Sequence, residues 1–285
     1  LKKVLITGAS GGLGKELSKY FVANGWQVIA TMLSLELGKE MLNWPNVHCY
    51  ELDVSSNDSI LKAKNAILAN HQRIDVVINN AGMGYRSFVE LADDQKIQQI
   101  VDVNWMGVVR VCRAFIPVFK QQQCGHFINI SSIAGLVNLP LGNFYHATKH
   151  AVESFSECMA YELKEANIKV CTVQFGNIPT DFQHNVRTSD KTNIGSYQRL
   201  MSRITKLLAI RTKRNKHLVS AINHKIFQIA ENPAPNFKRY TIGFDARALK
   251  LLYKILGYRL FGALIRYKIL DYRQPELPSQ MNSDD

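Results

Sequence analysis

Tyr145 and Lys149 stand four residues apart in FYHATKHAVESF, residues 144–155, a run patterned as the start of a helix. Residues at i and i+4 share a helix face. A lysine ammonium beside a phenol favours the phenolate and lowers its pKa from about 10, so such a tyrosine exchanges a proton near neutral pH. The same spacing also describes a surface tyrosine packed on a lysine stem, so other residues must decide. His146 and His150 flank the pair without a metal-like partner set. They read as ordinary helix residues, and no metal site is expected.

Two further stretches bear on the choice. INISSIAG (128–135) carries Ser131 and Ser132 at a strand end. Alternate strand residues face opposite ways, so only one of the two faces a site. TGASGGLG (7–14) follows a short β-branched run and opens a helix, with Gly8, Gly12 and Gly14 spaced G-x-x-x-G-x-G. Glycines there allow a tight turn and close approach of backbone to a pyrophosphate. The helix N-terminus then presents free N–H groups to negative charge.

The elements that must hold these groups are legible as an alternation. Strands are expected at 3–7, 27–31, 47–52, 75–79, 126–131 and 169–175. Helices are expected at 12–24, from about 32 to 43, at 57–70, 94–121 and 143–166. Short buried strands separated by helices predict repeated βαβ units, an α/β fold with a doubly wound parallel sheet covered on both faces. Ligands in such sheets sit beyond the carboxyl ends of the strands, where the motifs above fall. The alternation stops near Phe175. ENPAPNF (231–237) reads as a loop and KRYTIG (238–243) as one last strand.

The glycine turn resembles that of the short-chain dehydrogenase/reductase family, and the rest of the chain tests the resemblance. LDV (52–54), NNAG (79–82), VNWMG (103–107), INISSIAG (128–135) and YHATK (145–149) occur in the family's order and spacing. The likeness is close over residues 2–182 and looser beyond. It implies a Rossmann fold and hydride transfer between NAD(P) and an alcohol or ketone, with catalytic Asn104, Ser132, Tyr145 and Lys149. Ser132 lies 13 residues before Tyr145, the family's interval, which leaves Ser131 as a backbone-supporting neighbour. Tyr145 would exchange the proton, Ser132 would steady the substrate oxygen, and Lys149 would bind the nicotinamide ribose. Asn104 would hold a water linking Lys149 to solvent. Cofactor contacts are implied at Gly8, Ser10, Gly12, Leu13, Gly14, Asp53, Val54, Asn80, Ala81, Gly82, Tyr145, Lys149, Gly176, Ile178 and Thr180. The family also implies a homo-oligomer paired through helices 94–121 and 143–166.

FGNIPT (175–180) departs from the family's P-G-x-x-x-T, with Phe175 in place of proline, and a looser loop is expected. At the end of the second strand an acid would select NAD and an arginine NADP. Met32 and Leu33 stand there instead. With no carboxylate placed to repel a phosphate, the balance falls on NADP(H) over NAD(H). Glu36 counts against that if its side chain turns inward.

The 285 residues suffice for one large domain with a buried core. The five cysteines are widely spaced and form no C-x-x-C pair. They read as reduced thiols of a cytoplasmic protein. With a strand and glycine turn at its start, no secretory signal is expected. Charge is uneven: residues 186–273 hold 19 Lys or Arg against four Asp or Glu, within a chain of net +12. Residues 1–182 are read as the dinucleotide-binding, catalytic part of a single domain, and 183–285 as its basic helical lid and C-terminal extension. Leu200, Met201, Ile204, Leu207 and Leu208 recur at helical spacing. Further on, Arg247, Lys250 and Lys254 are expected along one helix face, and Leu249, Leu252, Leu256 and Leu260 along another.

Such basic amphipathic helices suit a lid with solvated charges, peripheral contact with a membrane surface, or an acidic carrier or CoA-like partner. No motif supports specific nucleic-acid binding. The tail also resembles hydroxysteroid- and retinol-dehydrogenase-like members, which implies a lipophilic alcohol or carbonyl substrate. The competing reading is a non-catalytic dinucleotide-binding sensor or scaffold, for which an intact set of four catalytic residues would have no use.

Overall fold

Each short β-branched run forms a strand in the computed structural model, which describes residues 1–179, 186–189, 192–215 and 217–270. In chain order the elements are β1 (Lys3–Thr7), α1 (Gly12–Ala23), β2 (Gln27–Met32), β3 (Val47–Glu51), α2 (Asn57–Asn70), β4 (Val76–Asn79) and β5 (Tyr85–Ser87). They continue with α3 (Asp94–Val101), α4 (Gly107–Gln122), β6 (Gly125–Ile130), α5 (Asn143–Glu162), β7 (Ile168–Phe175) and β8 (Arg187–Ser189). The last are α6 (Gly195–Arg214), α7 (Leu218–Glu231), β9 (Lys238–Ile242) and α8 (Phe244–Ile265).

Seven parallel strands form one sheet in the order β3-β2-β1-β4-β6-β7-β9. Neighbouring residues of β1 go to opposite faces, and both faces are buried. Val4 and Ile6 join the core under α1 and α7, while Leu5 joins Ile29, Val77 and the core under α2, α4 and α5. That is the pattern of a sheet covered by helices on each side. Sequence order reverses between β1 and β4, which opens the crevice where ligands of such sheets bind. Gly8 and Asn80 follow those two strands.

Two helices differ from the sequence expectation. The segment after β2 is a 3₁₀ helix, Leu35–Asn43, broken at Gly38. A Cβ on Gly38 would lie 2.3 Å from Met32 Sδ, so this segment is pressed onto the Met32 side chain at the end of β2. The expected helix over 94–121 is interrupted by a π-helical turn, Asp102–Met106, between α3 and α4. β5 and β8 pair in parallel as a separate two-stranded ribbon.

The last third is not all lid. The Phe227 ring of α7 meets Phe21 at 5.2 Å, Tyr20 at 5.7 Å and Trp26 at 6.1 Å, completing the layer beside α1. Leu200 and Ile204 of α6 bury with Leu141 and Ile269, and Phe88, Leu139, Met201 and Ile265 pack around them.

Candidate active site

The turn from β1 to α1 is fixed by close contacts. Gly8 has φ +64°, and a Cβ there would lie 2.9 Å from Ala81 Cα. A Cβ on Gly14 would lie 2.3 Å from Gly8 O and 2.7 Å from Asn80 Nδ2. Gly12 has φ +51°, in the left-handed region that favours glycine. The Asn80 amide donates to the carbonyls of Thr7 (2.9 Å) and Gly8 (3.1 Å). The main-chain N–H groups of Asn80 and Ala81 donate to Thr7 Oγ1, each at 3.0 Å. Thr7 and Asn80 thus bolt the glycine turn to the end of β4. Helix α1 has no side-chain cap and no acidic residue in its first turn. Its N–H groups and dipole are left for an anion. Ser10 is half-buried in the turn, whereas the Leu13 side chain packs into the core. Only the main chain of Leu13 faces the turn.

Asp53 and Val54 lie beyond the end of β3. Asp53 Oδ1 accepts from Ser55 N and Oγ at 2.8 and 2.7 Å. Val54 is buried against Gly107, where a Cβ would lie 2.8 Å from Val54 Cγ2. On the other side, a Cβ on Gly82 would lie 3.3 Å from Asn104 Oδ1 and 3.9 Å from Lys149 Nζ.

The residues expected to act as acid and base meet around the N-terminal turns of α5. Tyr145 is half-buried and shares a hydrogen bond with the Ser132 side chain, with the Arg86 guanidinium nearby. Lys149 is 6% exposed; its ammonium donates to Ile130 O at 2.9 Å and lies 5.8 Å from the centroid of the Tyr145 ring. Asn104, fully buried in the π-helical turn, accepts from Met83 N (2.7 Å) and donates to Met83 O (2.8 Å). It also donates to Thr148 Oγ1 at 3.3 Å. Its amide is therefore committed to the segment after Gly82. Ser132 Oγ accepts from Ala134 N at 3.1 Å and donates to Phe175 O at 3.4 Å. The buried Ser131 Oγ has no hydrogen-bond partner, so that residue supports the backbone only through its own N–H, donated to Val173 O.

The i,i+4 spacing predicts a lowered phenol pKa, and the protein by itself gives the opposite sign. Burial pushes Tyr145 up to about 12, against the Ser132 hydrogen bond and the Arg86 charge, which pull it down. Burial brings Lys149 down to about 8, and the Glu153 charge holds it from falling further. Glu153 is 4% exposed, one turn beyond Lys149. Its Oε2 accepts from Thr172 Oγ1 (2.9 Å) and from Arg239 Nε of β9 (3.0 Å).

At the edge of β2, Met32 is buried and Leu33 is exposed. Glu36 is turned outward, 3.5 Å from Lys39. After β7, Gly176 faces Asp245, whose Oδ2 a Cβ would approach to 2.6 Å, and Ile178 is buried in the core. Asn215 Nδ2 donates to Asn177 O (2.8 Å) and Asp245 Oδ2 (2.9 Å). The described part of this loop is therefore tied down despite the missing proline. Thr180 lies outside the described residues.

Residues 2–191 match the family model of the short chain dehydrogenases. The chain is a short-chain dehydrogenase. It is 38% identical over 189 residues to 3-ketodihydrosphingosine reductase of Bacteroides thetaiotaomicron, a match covering 66% of this chain and 68% of that one. Over 202 residues it is 31% identical to dehydrogenase/reductase SDR family member 7B of Mus musculus, covering 68% of this chain and 62% of the mouse protein, less than two thirds of its length. Among solved structures, a short-chain dehydrogenase from Streptomyces avermitilis aligns with TM-score 0.79 at 25% identity, over 94% of this chain and 98% of that one. A 3-ketoacyl-(acyl-carrier-protein) reductase from Brucella melitensis, solved with NADH, aligns with TM-score 0.62 at 27% identity, over 65% and 79%. As a short-chain dehydrogenase the chain is an oxidoreductase that uses a nicotinamide cofactor, and the glycine cradle fits a dinucleotide pyrophosphate. The scaffold alternative is not favoured by these relatives, which are named as enzymes.

Three residues of the site were given no role in the sequence reading. Glu153 was within reach of the sequence, being four residues from Lys149 on the same helix face. Thr7 gives a weak signal as a strand-end hydroxyl before Gly8. Arg86 gives none, since its place beside Tyr145 depends on how β5 lies against α5.

Proposed function

We propose that this short-chain dehydrogenase interconverts a lipophilic alcohol and its ketone with NADP(H), using Tyr145 as general acid and base. The observation that carries the reading is the hydrogen-bonded Tyr145–Ser132 pair with two cationic side chains, Lys149 and Arg86, around it. A phenol held near 12 is fully protonated at neutral pH, which suits a proton donor to a carbonyl oxygen. Ser132 hydrogen-bonds that oxygen and steadies its developing charge. When bound, the nicotinamide supplies or accepts the hydride. Lys149 binds the nicotinamide ribose hydroxyls and, while charged, favours the phenolate left after proton transfer. Asn104 pins the Gly82–Met83 backbone beside Lys149, shaping the path by which that lysine exchanges its proton with water. The glycine turn, with Ser10, Leu13 N–H, Asn80, Ala81 and Gly82, holds the dinucleotide. Asp53 and Val54 border its adenine, and Gly176, Ile178 and Thr180 border its nicotinamide end.

The lipophilic substrate is supported by the apolar cluster that Leu141, two residues before α5, forms with Phe88, Leu139, Leu200 and Ile204. The name of the Bacteroides relative, a reductase of 3-ketodihydrosphingosine, points the same way. The choice of NADP(H) is supported by Met32 and Leu33 at the β2 edge and by the outward turn of Glu36. A cytoplasmic setting, with all five cysteines as free thiols, and a homo-oligomer paired through α4 and α5 complete the reading.

The test is cofactor oxidation or reduction against a panel of lipophilic ketones and alcohols. Tyr145→Phe should lower turnover by about 10³-fold or more while cofactor binding, read by protein fluorescence, is retained. Turnover surviving in that variant defeats the mechanism. Tighter binding of NADH than of NADPH in the same titration overturns the cofactor choice.

A further inference from the structure

Helix α8 buries one side and leaves large apolar residues on the other. Phe244 is 87% exposed, Leu251 58%, Ile255 71%, Tyr258 70% and Leu260 62%. Phe244, Leu251 and Ile255 stand at i, i+7 and i+11, so they share one face. This differs from the leucine face read from the sequence. Leu249 and Leu256 are half-buried, and Lys250 turns inward to donate to Thr241 Oγ1 at 3.1 Å. The helix is broken at Gly257, where φ is 61° and ψ −179°, a conformation open essentially to glycine alone. The break changes the register, and exposed apolar residues continue past it.

Cations flank this face. Arg247, Lys254, Arg259, Arg266 and Lys268 are all exposed. The single acid between 244 and 270 is Asp245. Its oxygens are taken by the N–H of Ala246 (2.8 Å) and by Asn215 (2.9 Å). Among the described residues 244–270 no other carboxylate accompanies the exposed apolar side chains.

We propose that α8 and the π-helical turn Arg266–Leu270 seat the protein on an anionic membrane surface. A helix with exposed apolar residues among lysines and arginines lies in the lipid interface, apolar side chains below the headgroups and cations among them. Tyr258 and Tyr267 suit the boundary between the two. Among the described residues no helix is long and apolar enough to cross a membrane, so the contact is with the surface. A second copy is the weaker occupant. A two-fold contact lays a patch on itself, and here that brings the exposed cations of 244–270 against one another. An acidic protein would meet the charges but leave the large apolar side chains without a stated partner. The inner residues Ile265 and Ile269 pack with Leu200, Ile204 and Leu141. Docking does not depend on the hydride chemistry, and the two fail separately.

The test is co-sedimentation of the full chain with phosphatidylcholine vesicles, with and without phosphatidylserine. Binding should be about tenfold or more stronger with phosphatidylserine and should fall with salt. Lys254→Glu with Arg259→Glu should weaken it about tenfold or more. Leu251→Ser with Ile255→Ser should weaken it with the charges intact, and circular dichroism checks that each pair folds. Equal failure to bind both vesicles, or binding indifferent to both pairs, overturns the proposal. So does a dimer in light scattering that Leu251→Ser with Ile255→Ser dissolves, which would give the face to a second copy.

Discussion

Two helices carry a lysine and a tyrosine four residues apart: Tyr145 and Lys149 on α5, Lys254 and Tyr258 on α8. On α5 the lysine is 6% exposed, donates to a strand carbonyl and is brought down to about 8 by burial, while its tyrosine is pushed up to about 12. On α8 both side chains face solvent and a glycine break falls between them. Spacing makes neighbours on α5, and the Gly257 break undoes the same spacing on α8. Burial against the end of β6 shifts both groups of one pair, and the other pair stays at the surface. Around α5 every important group has a fixed partner: Asn104 holds Met83, Asn80 holds Thr7 and Gly8, and Glu153 holds Thr172 and Arg239. Around α8 the exposed cations bond close by, Arg247 to Thr241 O at 3.1 Å and Arg259 to Tyr258 Oη at 3.0 Å, while the apolar side chains between them stay exposed.

The contrast is broken most severely by filling the glycine turn. Gly14→Ala sets a Cβ 2.3 Å from Gly8 O, a backbone atom that cannot step aside cheaply. It should cost about 1–3 kcal/mol in stability and weaken cofactor binding by about tenfold or more, read by thermal unfolding and by fluorescence titration. Unchanged cofactor affinity would mean the turn is not the pyrophosphate cradle.

A smaller effect is expected at Glu153→Gln, which keeps an acceptor for Thr172 and Arg239 and removes only the charge. Glu153 raises a Lys149 pKa that burial has lowered to about 8, so activity that needs charged Lys149 should fall as pH rises through that value. In the variant this limb of the kcat/KM profile should move to lower pH. The linkage has a second reading. The unfolded chain keeps the Lys149 proton up to about 10.5 and the folded chain releases it near 8. The unfolded state therefore binds more protons in that window, and the lysine's contribution to stability rises with pH there. A limb that stays in place would leave Glu153 a packing role only.

The smallest effect belongs to α8. Leu251→Ser with Ile255→Ser should change the unfolding free energy by about 0.5 kcal/mol or less, since both side chains already lie in water. A large loss in denaturant titration would show that the face is packed, and would erase the difference between the two helices.

The parallel sheet and its two covered faces were legible from short β-branched runs alternating with helices, whereas the strand order came only with the structure. Gly8, Gly14, Asn80 and Ser132 were legible as motifs at strand ends, and Tyr145 and Lys149 as a pair at the start of a helix. The parts that escaped depend on long-range placement. Arg86 reaches Tyr145 because its strand lies against α5, and β5 finds its partner in Arg187–Ser189, about a hundred residues away. The pKa sign at Tyr145 escaped for a related reason: spacing counts neighbours but not desolvation. On α8 the leucine periodicity assumes an unbroken helix, and Gly257 interrupts it. The charge of the last third was plain in the sequence. That α7 spends its apolar face on the sheet while α8 leaves its own uncovered was not.

The π-helical turn at Asp102–Met106 has a consequence for how this site tolerates changes in length. Such a turn holds one more residue than an α-helix following the same path. Removing a single residue there would let α3 and α4 merge into one regular helix while the hydrophobic faces beyond it keep their seats. Asn104 would then swing by about 100° around the axis and lose Met83. The helix would gain regularity, the chain would keep its fold, and the backbone beside Lys149 would come loose. Length in this helix is thus a setting for the site, adjustable in steps of one residue and correct at only one of them.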